Sequence, residues 1–401
     1  MTRAQFKISG TQRFVPVQIS VFNKTIAVND TPHMLEIIDV FSGVGLFSSP
    51  AIAHPNEYRL VFAIDEDRLV VQDTLKTKVL HALKQAHPHA EVVAGTLPAM
   101  AARIPLPNQR THLHLSPPCT GISSARRDDD PEAKAKSIFL LAWSFEYVLA
   151  TMPPTFSIED VPAEEAISLA ESYKKQHPQL IDYAALDAEA FGTPQTRRRL
   201  IVSTPEIISV LRSQAANPHK QSVAQAFHAA GLPLPATHIK ASTELGTSRV
   251  RACVSEGCYT VVASRAPIWC DEAGKSVRPA TPDEVRVLMG APAGLVLPDS
   301  KAVAQRALGN GVAYGISLAI LKAAAASTTR ASWAPPQHGE SVEELCRRVE
   351  DRAREAVAHA TRRRMERSKA ARRAAELGKG MSKRQRADAV ERLVERLERD
   401  T

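Results

Sequence analysis

Residues 35–45 read LEIIDVFSGVG. Six mostly apolar residues, too few for a core helix, run into two glycines separated by one residue. That pattern is a buried strand ending in a tight turn, where the backbone can come close to a ligand. Taken alone, the turn at Gly43 and Gly45 fits a purely structural corner as well as a cofactor site. Downstream, short apolar runs alternate with longer helical stretches: YRLVFAI, a helix over 67–86, AEVVA, THLHL, a helix over 132–151, TFSIE, LIDYAAL and RLIVS. Strands alternating with helices predict a doubly wound, Rossmann-like α/β domain with a mostly parallel sheet. Ligands of such sheets bind beyond the carboxyl ends of the strands.

Outside that alternation the chain changes character. Residues 14–28, FVPVQISVFNKTIAV, predict a hairpin ahead of the main fold. Between Thr204 and about Pro279 the alternation fades, and residues 328–340 read as a linker. The resulting expectation is an N-terminal extension over 1–33, a catalytic and cofactor domain over 34–204 and a small domain over 205–299. A return segment over 300–327 and a charged helical tail over 328–401 complete it. The chain has 51 Lys and Arg against 43 Asp and Glu, a formal charge of +8. From Ser341 onward 18 basic residues face 12 acidic ones. Six of the eight net charges therefore sit in the tail, which is expected to be a solvated extension or to contact nucleic-acid phosphates.

The composition limits other readings. No apolar run approaches the length of about 18 residues that a membrane span needs. The first residues, MTRAQFKISG, lack a signal-peptide pattern. Five scattered cysteines make no disulfide framework, and Cys253, Cys258 and Cys270 do not have zinc-site spacing. A monomer in the cytoplasm, without a metal, is the expectation, nucleoid-associated in a bacterial or phage setting.

Several residues carry chemistry. Asp65 ends the second strand about twenty residues after the glycines, where an acid can bond ribose hydroxyls or cap a helix. An adenosine-containing ligand fits, either a dinucleotide or S-adenosylmethionine. Cys119 follows the fourth strand in LSPPCTGISSARR, residues 115–127. The prolines stiffen its backbone, and the polar, basic residues after it predict a site near solvent and positive charge that favours the thiolate. Glu159 ends the fifth strand, where it can bond a substrate and move a proton. In FGTPQTRRRLIV, residues 191–202, Arg197 and Arg199 alternate and so face one side, a pattern suited to anion or base recognition.

The ordered set DVFSGVG, SPPC, EDV, QTRRR, RPATPDEVRVLMGAP and GNGV resembles the DNA (cytosine-5) methyltransferase family over residues 35 to about 326. The resemblance implies an S-adenosylmethionine-dependent methyltransferase domain with a small target-recognition domain, acting on a cytosine flipped out of double-stranded DNA. It implies that Cys119 adds to cytosine C6, that Glu159 holds the N3/N4 edge, and that Arg199 and Arg197 hold O2 and nearby backbone, with Gln195 in the same motif. Phe41 is expected against adenine, Gly43 and Gly45 beside the methionine part and Asp65 on the ribose. Thr96 stands where the family has an acid near adenine, and Asn310 and Val312 are expected to complete the pocket. Ser123, Arg126 and Arg127 lie in the segment expected to close over DNA. The chain departs from the pattern at Leu46, usually glycine, and at Asp160, usually asparagine. In the family that asparagine supports the cysteine loop, so an acid there is expected either to alter the loop or to raise the thiol pKa. The same chemistry on RNA, and a catalytically impaired DNA-binding homologue, are the competing readings.

Overall fold

The computed structural model describes residues 20–21, 24–25, 34–66, 76–123, 130–241, 250–327 and 339–377. The chain divides into two units, Met1–Met34 and Leu35–Thr401. In the first, β1 (Ser20–Val21) pairs antiparallel with β2 (Lys24–Thr25), inside the stretch expected as a hairpin.

The second unit is built on a seven-stranded sheet. Its strands are β3 (Leu35–Val40), β4 (Tyr58–Asp65), β5 (Glu91–Ala94), β6 (Thr111–Leu115), β7 (Thr155–Asp160), β8 (Asp182–Asp187) and β9 (Arg198–Ser203), ordered β5-β4-β3-β6-β7-β9-β8. The first five in that order are parallel, while β9 is antiparallel to both of its neighbours. The sheet is therefore mixed, an α/β architecture as the alternation predicts. The strand order reverses between β3 and β6, which opens a crevice at their carboxyl ends. Because β9 runs the other way, its first residues reach the edge at which β7 ends.

Side-chain alternation divides the sheet into two cores. Ile38, Val40, Phe62, Ile64, Leu113, Leu115, Ile158 and Leu200 face one side. There they meet α3 (Pro131–Thr151) and α4 (Glu164–Gln176). Leu35, Ile37, Ala63, Leu186 and Ile201 face the other, against α5 (Pro205–Ala216) and α9 (Tyr314–Ala325). The register with β3 shifts between Ile37 and Ile38, so that Val61 is passed over. α3 starts cleanly because Asp130 accepts the Ala133 N–H at 3.0 Å and Pro131 occupies the first turn.

Two segments depart from the expected partition. α5 lies within 205–299, yet Ile207, Ile208 and Leu211 pack into the large sheet's second core. Thr204 caps it and Pro205 opens it, a start signal placed immediately after β9. The small four-stranded antiparallel sheet then spans β10 (His238–Lys240), β11 (Val250–Ala252), β12 (Ile268–Cys270) and β13 (Ser276–Pro279), in the order β11-β10-β12-β13. It shares a third core with α6 (Val223–Ala229), α7 (Pro282–Leu288) and α8 (Lys301–Asn310), and with Val44 and Leu46 of the glycine turn. The second departure is α10 (Val342–Leu377). The sequence reading sets it outside the folded body as a charged tail, but Leu345, Val349 and Ala353 are buried in the first core. Cys346 lies near Tyr147 and Arg354 stacks over the Phe139 ring at 5.4 Å. As α10 advances it therefore runs back along α3. No single helix among the described residues is long and apolar enough to cross a membrane.

Candidate active site

The turns that leave β3, β4, β6 and β7 and the segment that leads into β9 come together at the carboxyl edge of the sheet. After β3 the chain turns sharply. Phe41, Gly43 and Gly45 all have positive φ, at 63°, 53° and 79°. Glycine adopts this readily, whereas Phe41 is held there against its preference, as residues at ligand sites often are. Its N–H bonds the Ile64 carbonyl at 2.8 Å, and its carbonyl accepts the Ser116 hydroxyl at 3.2 Å. A Cβ on Gly45 would meet mainly the movable end of the Leu83 side chain, so it is the positive φ that calls for glycine there.

Asp65 reaches back into that turn, where its Oδ2 accepts the Gly43 N–H at 2.5 Å. The residue expected on a ribose thus also fixes the glycine turn. Phe41 is nine-tenths buried and meets Trp143 edge to face at 6.3 Å between centroids. Thr96 is exposed beyond β5, and Asn310 is exposed at the end of α8. Val312 instead sits in the core. Beside the turn the buried Ser42 hydroxyl is left without a partner, and the buried Asp39 carboxyl has only poorly aligned contacts with Ser48. Burial raises the Asp39 pKa from 3.8 to about 7. A polar ligand with donors of its own, such as the amino-acid end of S-adenosylmethionine, fits groups left in that state.

Leu46 matters to this pocket. It stands where the resembled family has glycine, and its side chain fills the space beside Gly311, at which any Cβ would overlap it. The return segment therefore reaches the glycine turn through a leucine–glycine contact.

On the other side of the crevice, β6 ends at Leu115, and the Ser116 N–H bonds the Val40 carbonyl at 3.1 Å. Cys119 comes four residues later. Its carbonyl accepts the Ile122 and Ser123 N–H groups, each at 3.0 Å. Gly121 donates to the Ser137 hydroxyl at 3.1 Å, and a Cβ there would run into the Ala133 backbone. This seats the loop on the first turns of α3. Ser123 marks the last described residue of the loop, while Arg126 and Arg127 lie outside the described residues.

Glu159 and Arg199 meet across β7 and β9. Arg199 Nε lies 2.7 Å from Glu159 Oε1, and both side chains are largely buried. No donor is well aligned on Oε1, so the contact is a charge pair more than a directed hydrogen bond. Arg197 is different. It is wholly buried, and it donates to Val261 O at 2.8 Å, Gly309 O at 2.9 Å and Gly311 O at 2.8 Å. Burial first, then the neighbouring Arg199 charge, lowers its pKa to about 9. Gln195 is equally buried, donating to Leu288 O at 2.8 Å and accepting the Val261 N–H at 3.1 Å. Arg197 and Gln195 tie the small sheet and the return segment to the start of β9 mainly through main-chain carbonyls, while Arg197 Nε is buried without a partner.

Cys119 departs from expectation in its electrostatics. The residue is half-buried, but it packs against the first core. Burial, then the Asp160 and Glu159 carboxylates, push the thiol up to about 12, outweighing the opposing fields of Arg199 and Arg197. The arginines that follow Cys119 in the sequence, Arg126 and Arg127, lie outside the described residues, and the two that act on the thiol, Arg199 and Arg197, do not offset its burial. The largest cause of the raised thiol is burial, with Asp160 second. Asp160 itself is buried and held well above the usual carboxylate range by burial and by Glu159.

Residues the sequence reading missed include Trp143, which backs Phe41, Ser42 and Asp39 at the turn, and Ser137 behind the cysteine loop. Only Asp39 carried a signal, as an acid inside a buried strand. Among the described residues no group of three or more His, Cys, Asp or Glu is arranged to hold a metal.

No family model matches the chain, and no curated protein matches it. Among solved structures it is similar to a protein described as a DNA modification methyltransferase encoded within an E. coli prophage, with 16% identity and a TM-score of 0.49, over 72% of this chain and 98% of that one. It is similar to the S. pombe Dnmt2 methyltransferase, with 14% identity and a TM-score of 0.47, over 72% of this chain and 97% of that one. It is also similar to the Entamoeba histolytica methyltransferase EhMeth, with 14% identity and a TM-score of 0.46, over 73% and 98%.

Proposed function

We propose that this chain is an S-adenosylmethionine-dependent cytosine-5 methyltransferase acting on DNA. The observation that carries the reading is the meeting, at one sheet edge, of the Cys119 loop, the Glu159–Arg199 pair and a glycine turn clamped by Asp65. A nucleophile, a carboxylate able to bond a ring edge and a guanidinium are the groups a pyrimidine needs for activation toward an electrophile. Cytosine C5 is too weak a nucleophile unaided. Cys119 sulfur adds to C6 and raises the electron density at C5. Glu159 holds the N3/N4 edge and protonates N3, while Arg199, already in contact with Glu159, holds O2. The cofactor, when bound, would supply the methyl group to C5 and leave as a thioether; loss of the C5 proton to a base then releases Cys119 from C6 and restores the ring. Gly43, Gly45, Ser42 and Asp65 would hold it, with Phe41 at the adenine side.

Labelled cofactor incubated separately with DNA and RNA tests the reading. Label in DNA supports it, and label in RNA alone moves the substrate to RNA. A 5-fluorocytosine duplex should trap a covalent adduct, and Cys119→Ser should abolish it while cofactor binding persists. Failure of wild-type protein both to label and to trap would leave the second reading, a nucleic-acid-binding homologue with an impaired site. That reading is favoured by the raised Cys119 thiol.

A further inference from the structure

Asp160 ends β7, and its side chain lies on the same face of the sheet as Ile158 and, across β9, Leu200, both members of the first core. Cys119 packs against that same core, past the end of β6, the strand parallel to β7. Glu159 and Arg199 alternate onto the opposite face. Of the two adjacent acids, Asp160 is therefore the one on the cysteine's side of the sheet. It is 2% exposed, its Oδ1 accepts the Val161 N–H at 2.6 Å, and its Oδ2 has no partner. Burial and Glu159 hold this carboxyl well above the usual carboxylate range, so it ionises only as pH rises, and once ionised it opposes a second negative charge nearby.

We propose that Asp160 is a positioning residue that holds Cys119 in its thiol form, so that the nucleophile's reactivity is governed by the charge on this one carboxylate. The proposal deepens the reading of Cys119 as the nucleophile, but the charge relation can be measured whether or not the protein transfers a methyl group. The titratable and charged groups facing the pair are Glu159 on β7 and Arg199 and Arg197 from β9. The two arginines favour the thiolate and the two acids oppose it. Asp160 stands ahead of Glu159 among the groups raising the thiol, and it lacks the guanidinium contact that partly neutralises Glu159.

The test is the rate of Cys119 alkylation by iodoacetamide between pH 6 and 10, read by mass spectrometry on the Cys119 peptide so that the other four cysteines do not interfere. The full-length chain is used. In wild type the rate should rise only at the alkaline end, above the free-cysteine value of about 8.5. Asp160→Asn keeps the shape and removes the charge. It should shift the profile to lower pH by at least about one unit, which is about tenfold faster labelling at pH 8. An unchanged or slower profile in Asp160→Asn overturns the proposal, a slower one pointing to a base. If the variant does not fold, wild type still decides, because a midpoint at or below that of free cysteine overturns the proposal equally. Asp160→Glu, which keeps a charge, should not reproduce the asparagine shift. If it does, the effect is packing and the proposal fails.

Discussion

Arg197 shows how much one guanidinium can hold together. It reaches Val261 of the small-sheet segment and Gly309 and Gly311 of the return segment from the start of β9. Arg197→Leu should leave these buried carbonyls without donors. At about 1–3 kcal/mol for each unsatisfied group, it should cost several kcal/mol, read as a lowered urea midpoint. Arg199→Ala, lying at the site, should lower methyl transfer far more than stability. The reverse ranking would mean that the two arginines had been assigned the wrong way round. From the sequence, alternation revealed that both side chains face one way. It could not reveal that three carbonyls, from segments more than sixty residues away, were already waiting for one of them. The same limit applies to Cys119. Arg126 and Arg127, which follow it in the string, lie outside the described residues, whereas the burial that raises the thiol appears only when α3 and the first core are in place.

Strands were the most legible elements. LEIIDV and RLIVS are short, apolar and β-branched, and they form β3 and β9 with their alternate residues in different cores. α10 was least legible, because its buried stripe relies on alanine. Leu345, Val349 and Ala353 are buried, while Ala356, Val357 and Ala360 pack at the margin, all within a strongly charged sequence. Residues 341–360 hold 4 basic and 5 acidic residues, and residues 361–377 hold 7 and 2. The docked half is thus close to neutral and the later half carries the positive charge. Truncation after residue 340 should expose the α3 face and lower stability, and Leu345→Ala alone should cost about 2–5 kcal/mol. Truncation after residue 360 should leave the melting temperature nearly unchanged. If the later half touches phosphates, that second truncation should also flatten the salt dependence of DNA affinity; an unaltered slope removes that contact.

Across the whole molecule, buried titratable groups set how stability responds to pH. Burial lowers His87 to about 4 and His112 to about 3, and holds His114 well below 6.5. A base whose folded pKa is depressed contributes stability that is present above 6.5 and lost as pH falls toward its folded value. Asp39 acts oppositely, since its stabilising contribution is present below 3.8 and lost as pH rises to about 7. The three histidines outnumber the two raised acids, Asp39 and Asp160, so stability should fall on acidification below about pH 6.5. Asp39→Asn should gain on wild type as pH rises from about 4 to 7, measured by urea titration at each pH; a constant difference would mean that Asp39 is ionised throughout. Another whole-molecule relation joins the first glycine turn to the last folded segment. Because Leu46 occupies the volume that a side chain at position 311 would need, neither site can drift by itself. A small residue placed at 46 would open a void that a larger residue at 311 could fill, so a double substitution should recover stability that the change at 46 loses.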